Sequence, residues 1–486
     1  MDRLLTPRAT LLVLALLTLW RLYLAATLQL HPDEAYYWLW SRRLDAGYFD
    51  HAPMVAYFIA ATDWLGVGEL GVRASGVLTP LLISGVLWQL GRQIYGSTAV
   101  AAGGVLLFNA LPPATLGLIV LTPDVPLLLF WALALGALGQ LARTQQPRWW
   151  YALGAAGGLA LLSKYTAALL APCVLLWLLV TPQRRWLQTP HPYLAALLAL
   201  LLFAPVLLWN AQHDWISLRF QFRHGLGEAQ HSLAQVGTYL AGQALLVGPL
   251  TWALGLVAAV AALRTPPPQR SGVWLLALTS VPVIAFFAAT SYRQLAGPNW
   301  PAYAYVSFSL LLAGWALHRP TRLRRALWAL AAATSLLLSL LVTLHARWHI
   351  VPPAWLSPAA LQADATNQFH GWRELTQALA SGPQPDFVLT PSHQLAAELI
   401  YYSGERLTVW PEPQARPSQF NLWPQPAGLA GAQGLYVWVD GEGGAPAADQ
   451  LTGLRERPPL DVQRAGRPLR RYHIVAGTRP AAAAAR

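Results

Sequence analysis

Long runs of apolar residues dominate this chain, and they leave few solvents in which it can fold. Residues 11–28, 194–209 and 326–344 are blocks built mainly from Leu, Ala and Val. Each is close to the roughly 20 residues that one helix needs to cross a bilayer. Only 11% of the 486 residues are charged and 55% are hydrophobic, whereas soluble domains carry about 25% charged residues. Lipid is therefore the main solvent, which excludes a water-soluble enzyme. The net charge of +12 would suit nucleic acid in a soluble protein. Here most basic residues sit in short loops between apolar blocks, where they set topology, so no nucleic-acid partner is expected. One cysteine, Cys173 in an apolar run, excludes an intrachain disulfide and a cysteine-built metal site. Arg3 and Arg8 precede the first block as in a signal peptide, but the block is long and no small-x-small cleavage site follows. It reads as an uncleaved first span.

Hydropathy places about eleven spans, near residues 10–29, 71–91, 98–116, 125–142, 150–163, 166–181, 192–210, 238–263, 273–290, 301–317 and 325–345. The fifth is short and glycine-rich, which suits a helix packed closely on its neighbours. Alternate connections carry the arginines: Arg3 and Arg8, Arg92, Arg143 and Arg148, Arg184 and Arg185, Arg264 and Arg270, then Arg319 to Arg325. That basic side should be cytoplasmic. The periplasm then receives residues 30–70, 117–124, the Lys164 region, 210–237 and 291–300, which hold the histidines, carboxylates and aromatics. An odd number of spans sends the tail there too. From about Trp348 proline, glycine and polar residues rise, and short apolar strands near 386–390, 407–410 and 435–439 accompany a helix after Ser392. The expectation is a mainly α, multi-pass inner-membrane protein. Residues 1–347 form its transmembrane catalytic domain, with 31–70 as the first periplasmic loop. Residues 348–486 form a small α/β extracytoplasmic domain with a disordered end at 481–485.

The first loop carries the most chemistry. His31-Pro32-Asp33-Glu34 follows the first span directly. Proline is tolerated at a helix start, and carboxylates suit its positive end. Such an end would keep Asp33 ionised and ready to accept a proton, although Asp33 also reads as a plain capping carboxylate. Glu34 is also kept as a catalytic candidate, although one residue along a helix it points elsewhere. The helix runs on through Trp40 and Leu44 as an interfacial element, and a second covers residues 53–65. Tyr36, Tyr37, Trp38 and Trp40 read as membrane-belt aromatics, with Tyr36 also kept as a substrate-binding candidate.

Asp33-Glu34-Ala35-Tyr36-Tyr37-Trp38, followed by Gly47-Tyr48-Phe49-Asp50-His51-Ala52-Pro53-Met54, resembles bacterial members of the dolichyl-phosphate-mannose-protein mannosyltransferase superfamily. That group includes the lipid A aminoarabinose transferases. Thr122-Pro123-Asp124, Ser163-Lys164-Tyr165-Thr166, Trp209-Asn210 and Gly297-Pro298-Asn299-Trp300-Pro301 agree with it, and Gly371-Trp372 and residues 396–402 echo it more weakly. The resemblance implies a GT-C fold, a polyprenyl-phosphate sugar donor and inversion at the anomeric carbon. It places the family's first-loop base on Asp33 and its second acidic loop on Asp124. In the aminoarabinose branch the position of His51 is a lysine beside a carboxylate, which contacts the donor phosphate. Here the pair is Asp50–His51, and the usual double proline is Ala52–Pro53.

Inverting transfer needs a base for the acceptor hydroxyl and cations for the departing phosphate. Lys164 is the only lysine and lies at the outer mouth of a span, as a phosphate ligand or a snorkelling end residue. Arg21, inside the first span, should face a cavity or a partner. Arg219, Arg223 and Arg293 lie in outer loops against the positive-inside trend and join the candidates for an anionic headgroup. Asp124 reads either as a helix cap or as a group orienting acceptor or donor. A lipid monophosphate does not require a divalent metal. Should one bind, Asp50 and His231 are the residues offered, with His213, Asp214, His224 and Glu228 in the same outer loop as His231. The leading expectation is transfer of a sugar from undecaprenyl phosphate to a lipid, glycan or protein acceptor. The alternative is a transporter or lipid flippase, which would place ionisable residues at mid-membrane in duplicated halves.

Overall fold

The computed structural model describes residues 5–481 except 228–230, 267–268, 353–354, 356, 358–360, 362, 413–415 and 442. Arg3, Glu228, the side chain of His224 and residues 482–485 of the expected tail lie outside the described residues. The chain divides into two compact units. One holds Met1–Ala25, Asp45–Gly66 and Arg73–Thr343; the other holds Ala26–Leu44, Val67–Val72 and Leu344–Arg486. The expected boundary after residue 347 left the whole first loop with the membrane domain. Instead, its first part groups with the C-terminal residues, because helix Pro32–Ser41 packs on helix His393–Tyr402. The Tyr402 hydroxyl accepts from the Leu30 N–H at 2.7 Å and donates to Glu69 at 3.1 Å, and Arg373 pairs with Glu69.

In the first unit, every expected span is helical. Among the described residues, six helices are long and apolar enough to cross a membrane: Pro7–Thr27, Glu69–Tyr95, Asp124–Thr144, His191–Gln212, Arg270–Ser291 and Arg322–Trp348. Three further segments reach that length only as bent pairs. Thr98–Ala110 meets Pro112–Ile119 at 54°, Tyr165–Val180 meets Pro182–Gln188 at 112°, and Leu233–Val247 meets Pro249–Ala262 at 106°. Each second member begins with proline, which lacks the N–H that would continue the preceding helix. The single straight span expected over 238–263 is thus two helices broken at Gly248, whose φ of +93° suits glycine. Arg148–Ser163 and Ala304–Leu317 are shorter, at 16 and 14 residues.

Glycine explains the short helix. A Cβ at Gly154 would lie 2.5 Å from the Ala195 carbonyl oxygen, so only glycine lets Arg148–Ser163 close on His191–Gln212. Hydroxyl pairs Thr251–Ser335 at 2.7 Å and Thr279–Ser307 at 2.8 Å satisfy polar groups that lipid would leave unpaired. Outward, Leu11 and Leu19 are 66% and 63% exposed, and Leu330 and Leu337 are 54% and 56% exposed. Rows of bare leucine on long helices are costly in water and ordinary in hydrocarbon. This is a multi-pass membrane protein.

The second unit contains a sheet of β1 (Phe387–Thr390), β2 (Val409–Pro411), β3 (Gln433–Val439), β4 (Thr452–Arg464) and β5 (Arg467–Thr478), in the order β2-β1-β3-β5-β4. β1 runs parallel to both neighbours, with Val388 opposite Val409 and Leu435; β3, β5 and β4 are antiparallel. All four residues of β1 are buried, as a central parallel strand requires. Phe387, Leu389, Tyr436 and Leu451 form the core on one face. Ala465 and Gly466, at φ +52° and +74°, turn β4 into β5 with the left-handed pair that a two-residue hairpin favours. The expected α/β character holds.

Candidate active site

In the second unit the chemistry begins at helix Pro32–Ser41. His31 caps it: its Nδ1 accepts the Asp33 N–H at 3.2 Å, while the Glu34 carboxylate accepts the His31 N–H at 2.9 Å. Pro32 occupies the first turn, where its missing N–H costs nothing. Glu34 is wholly buried and engaged in this box. Asp33 differs. Its side chain is 39% exposed, so it is open to solvent. The Gln394 amide donates to Oδ1 at 2.7 Å, and His31 Nδ1 lies 3.9 Å from Oδ2. One carboxylate oxygen is thereby oriented by a neutral donor from helix His393–Tyr402.

The belt reading of the aromatics needs correction. Tyr36, Tyr37, Trp38 and Trp40 are 2%, 7%, 6% and 0% exposed. Tyr36 packs edge-on to His393 at 4.7 Å and stacks near Phe420, and its oxygen accepts the Gln419 N–H at 2.6 Å. Burial pushes its phenol well above the ordinary range. A side chain so enclosed positions helix Pro32–Ser41 rather than binding substrate directly. Burial also lowers His393 to about 4, against a smaller upward pull from Asp33, so the ring is neutral at physiological pH.

The first unit holds a different constellation. Asp124 opens helix Asp124–Thr144, yet its carboxylate caps nothing. It accepts from Lys164 Nζ at 2.7 Å and from Asn299 Nδ2 at 2.9 Å. Lys164 closes helix Arg148–Ser163, and both charged side chains are about nine-tenths buried. Lys164 therefore does not snorkel. Its ammonium carries three donors, of which Asp124 takes one. Three motif segments, around residues 124, 164 and 299, meet in this cluster.

The Asp50–His51 segment is also held in the first unit. Asp50 is 4% exposed. Gln221 donates to the Asp50 carbonyl at 2.6 Å and approaches His51 Nδ1 at 3.3 Å. A ring that accepts at Nδ1 presents Nε2–H as a donor. Gly47 lies against Trp209, where a Cβ would come within 2.7 Å of the indole, and Trp209 donates to Asp45 at 3.0 Å.

Arg21 is completely buried, donating to the Asn109 side chain at 3.0 Å, while Asn109 donates to Ser84 at 2.8 Å. It faces a helix partner through Nη2. Arg219, Arg223 and Arg293 are exposed. His231 is exposed beside Tyr292, and it forms no metal-ligating group with Asp50 among the described residues. Those that do lie at ligand spacing are His345, His349 and Asp364. There, His345 Nδ1 accepts the Val351 N–H, so its Nε2 carries the proton toward Asp364 at 3.0 Å, and Arg464 lies 3.5 Å from the same oxygen. A protonated ring nitrogen and a guanidinium make this an ion-pair network rather than a cation site. Gln394, Asn299 and His393 were missed by the sequence reading. Only Asn299 had a signal, its place in the Gly297–Pro301 run.

Residues 50–209 match the family described as dolichyl-phosphate-mannose-protein mannosyltransferase. The chain is 29% identical over 421 residues to lipid A galacturonosyltransferase RgtD of Rhizobium johnstonii, covering 82% of this chain and 83% of that one. Among solved structures it resembles ArnT from Cupriavidus metallidurans bound to undecaprenyl phosphate, with a TM-score of 0.69 at 18% identity over 97% of this chain and 98% of that one. The apo form of the same protein matches with a TM-score of 0.67, also at 18% identity, over 96% and 97%. The chain is thus similar to sugar transferases in a family segment and along most of one relative, and it shares the fold of ArnT.

Proposed function

We propose that the protein moves a sugar from a polyprenyl-phosphate carrier to a lipid or glycan acceptor, with inversion, at the periplasmic face of the inner membrane. The observation that carries this reading is the half-exposed Asp33 carboxylate, fixed at the start of a capped helix and oriented through Oδ1 by Gln394. Oδ2 then takes the proton of the acceptor hydroxyl. The acceptor oxygen attacks the anomeric carbon, and the bond to phosphate breaks on the opposite face, its electron pair leaving with the polyprenyl phosphate. Within the first unit, Lys164 is the cation suited to a phosphate, with donors that Asp124 does not take. A monophosphate leaving group does not require a divalent ion. We assign Glu34 to holding the helix start, because its carboxylate accepts the His31 N–H.

Support for the donor comes from the ArnT structure, which holds undecaprenyl phosphate. Support for the acceptor and sugar comes from RgtD, a lipid A galacturonosyltransferase by name. A hexuronosyl donor and a lipid A-like acceptor are thus the first pair to test; a neutral hexose or pentose and a protein acceptor come next. Purified protein should release polyprenyl phosphate from such a donor only when acceptor is added, forming the inverted glycoside. A transporter or flippase would leave the sugar–phosphate bond intact, and that result with every donor would reject the reading.

A further inference from the structure

The second unit contains a cavity of about 270 Å³ that the reaction above does not use, walled by Trp410, Phe420 and Trp423 on one hand and by His393, Glu412 and Arg416 on the other. Its size falls just below the range that holds drug-sized ligands, which suits one sugar ring better than a chain. Aromatic and polar walls suit the same ligand: the C–H face of a pyranose carries slight positive charge and lies well on an indole, while its hydroxyls need fixed donors and acceptors. Trp410 and Trp423 are both half-buried, so each is held in place and still accessible. The charge balance is positive. Glu412 is ion-paired with Arg479, and burial keeps His393 neutral. Arg416 is exposed with Nη1 3.5 Å from His393 Nε2, and the Arg43 guanidinium lies 4.7 Å over the Trp423 ring. Guanidinium is the group best shaped to grip a carboxylate or phosphate.

We propose that this cavity binds one anionic sugar residue of the acceptor glycan. The inference rests on the transferase reading and deepens it by naming an acceptor class. Its tie to the chemistry is covalent: His393 lines the cavity, and the next residue, Gln394, holds the Asp33 carboxylate. The base must touch the acceptor hydroxyl, so a subsite joined to the base belongs to the acceptor rather than to the lipid carrier.

Saturation-transfer NMR on the full chain in detergent tests this without any turnover, using galacturonate, glucose 1-phosphate and galactose as probes. At least one of the two anions should show ring-proton transfer, and whichever does identifies carboxylate or phosphate as the favoured group. Galactose, lacking an anion, should bind at least tenfold more weakly. Trp423→Ala and Arg416→Gln should each weaken the anion at least tenfold with an unchanged melting temperature, Arg416→Lys should restore part of it, and Asp33→Asn should leave it intact. Galactose binding as well as the anions, or binding untouched by either substitution, would overturn the proposal, as would binding of none of the three. Sugar bound by a protein that transfers nothing would instead count against the transferase reading alone.

Discussion

Lys164 and Asp124 show how much one pair can be asked to do. Removing one partner of a buried ion pair leaves the other charged and unpaired, at a cost of about 3–5 kcal/mol. Lys164→Met should therefore destabilise the protein by that order, read as a fall in the thermal midpoint in detergent. Lys164→Met combined with Asp124→Leu should recover most of the stability and none of the transfer activity. A double variant that regained activity would remove Lys164 from phosphate binding. Part of this cluster was legible, because a single lysine outside the topology-setting loops and an Asp after Thr122-Pro123 both drew notice in the sequence. Their pairing across 40 residues was not, nor was Asn299, since contacts between distant segments leave no local pattern. Arg21 was legible as a costly intramembrane arginine in need of a partner, while Asn109 on a neighbouring helix as that partner was not.

At the scale of elements, helix Pro32–Ser41 was almost fully readable from Pro-Asp-Glu after an apolar block. The cap was not, because histidine stands outside the usual capping residues. Its aromatics were misread for a physical reason: a buried aromatic face and a membrane-belt face have the same composition, and only packing on helix His393–Tyr402 separates them. Glu34→Ala should cost about 1 kcal/mol through loss of half the capping box. Glu34→Gln, which can still accept the His31 N–H, should keep both stability and most activity. If a folded Glu34→Gln protein lost transfer as completely as a base variant, the carboxylate would have a chemical role after all. The bent pairs at residues 98–119, 165–188 and 233–262 show where hydropathy runs out. A sliding apolar average is blind to direction, although Pro112, Pro182 and Pro249 mark each break.

For the molecule as a whole, membrane class and the change near residue 348 followed from composition, while the capture of residues 26–44 by the C-terminal unit followed from packing that composition does not encode. The folded chain also has an acid liability. Burial holds His370 and His393 near a pKa of about 4, against 6.5 for an ordinary histidine. Between those values the unfolded chain binds more protons than the folded one, so stability falls as pH drops from about 6.5 toward 4 and is flat above that window. At pH 5 the loss for His393 is roughly 2 kcal/mol, and thermal midpoints measured from pH 8 to 5 should show it. Replacing both histidines with glutamine should flatten the slope. The proposed function, finally, depends on a carboxylate that takes a proton as the lipid phosphate departs. The most direct measurement is single-turnover transfer from a polyprenyl-phosphate sugar by wild type and by Asp33→Asn, with donor binding followed separately. The expected result is a rate lowered about 10²–10⁴-fold with donor binding unchanged. Transfer by the folded variant within a few-fold of wild type would contradict it.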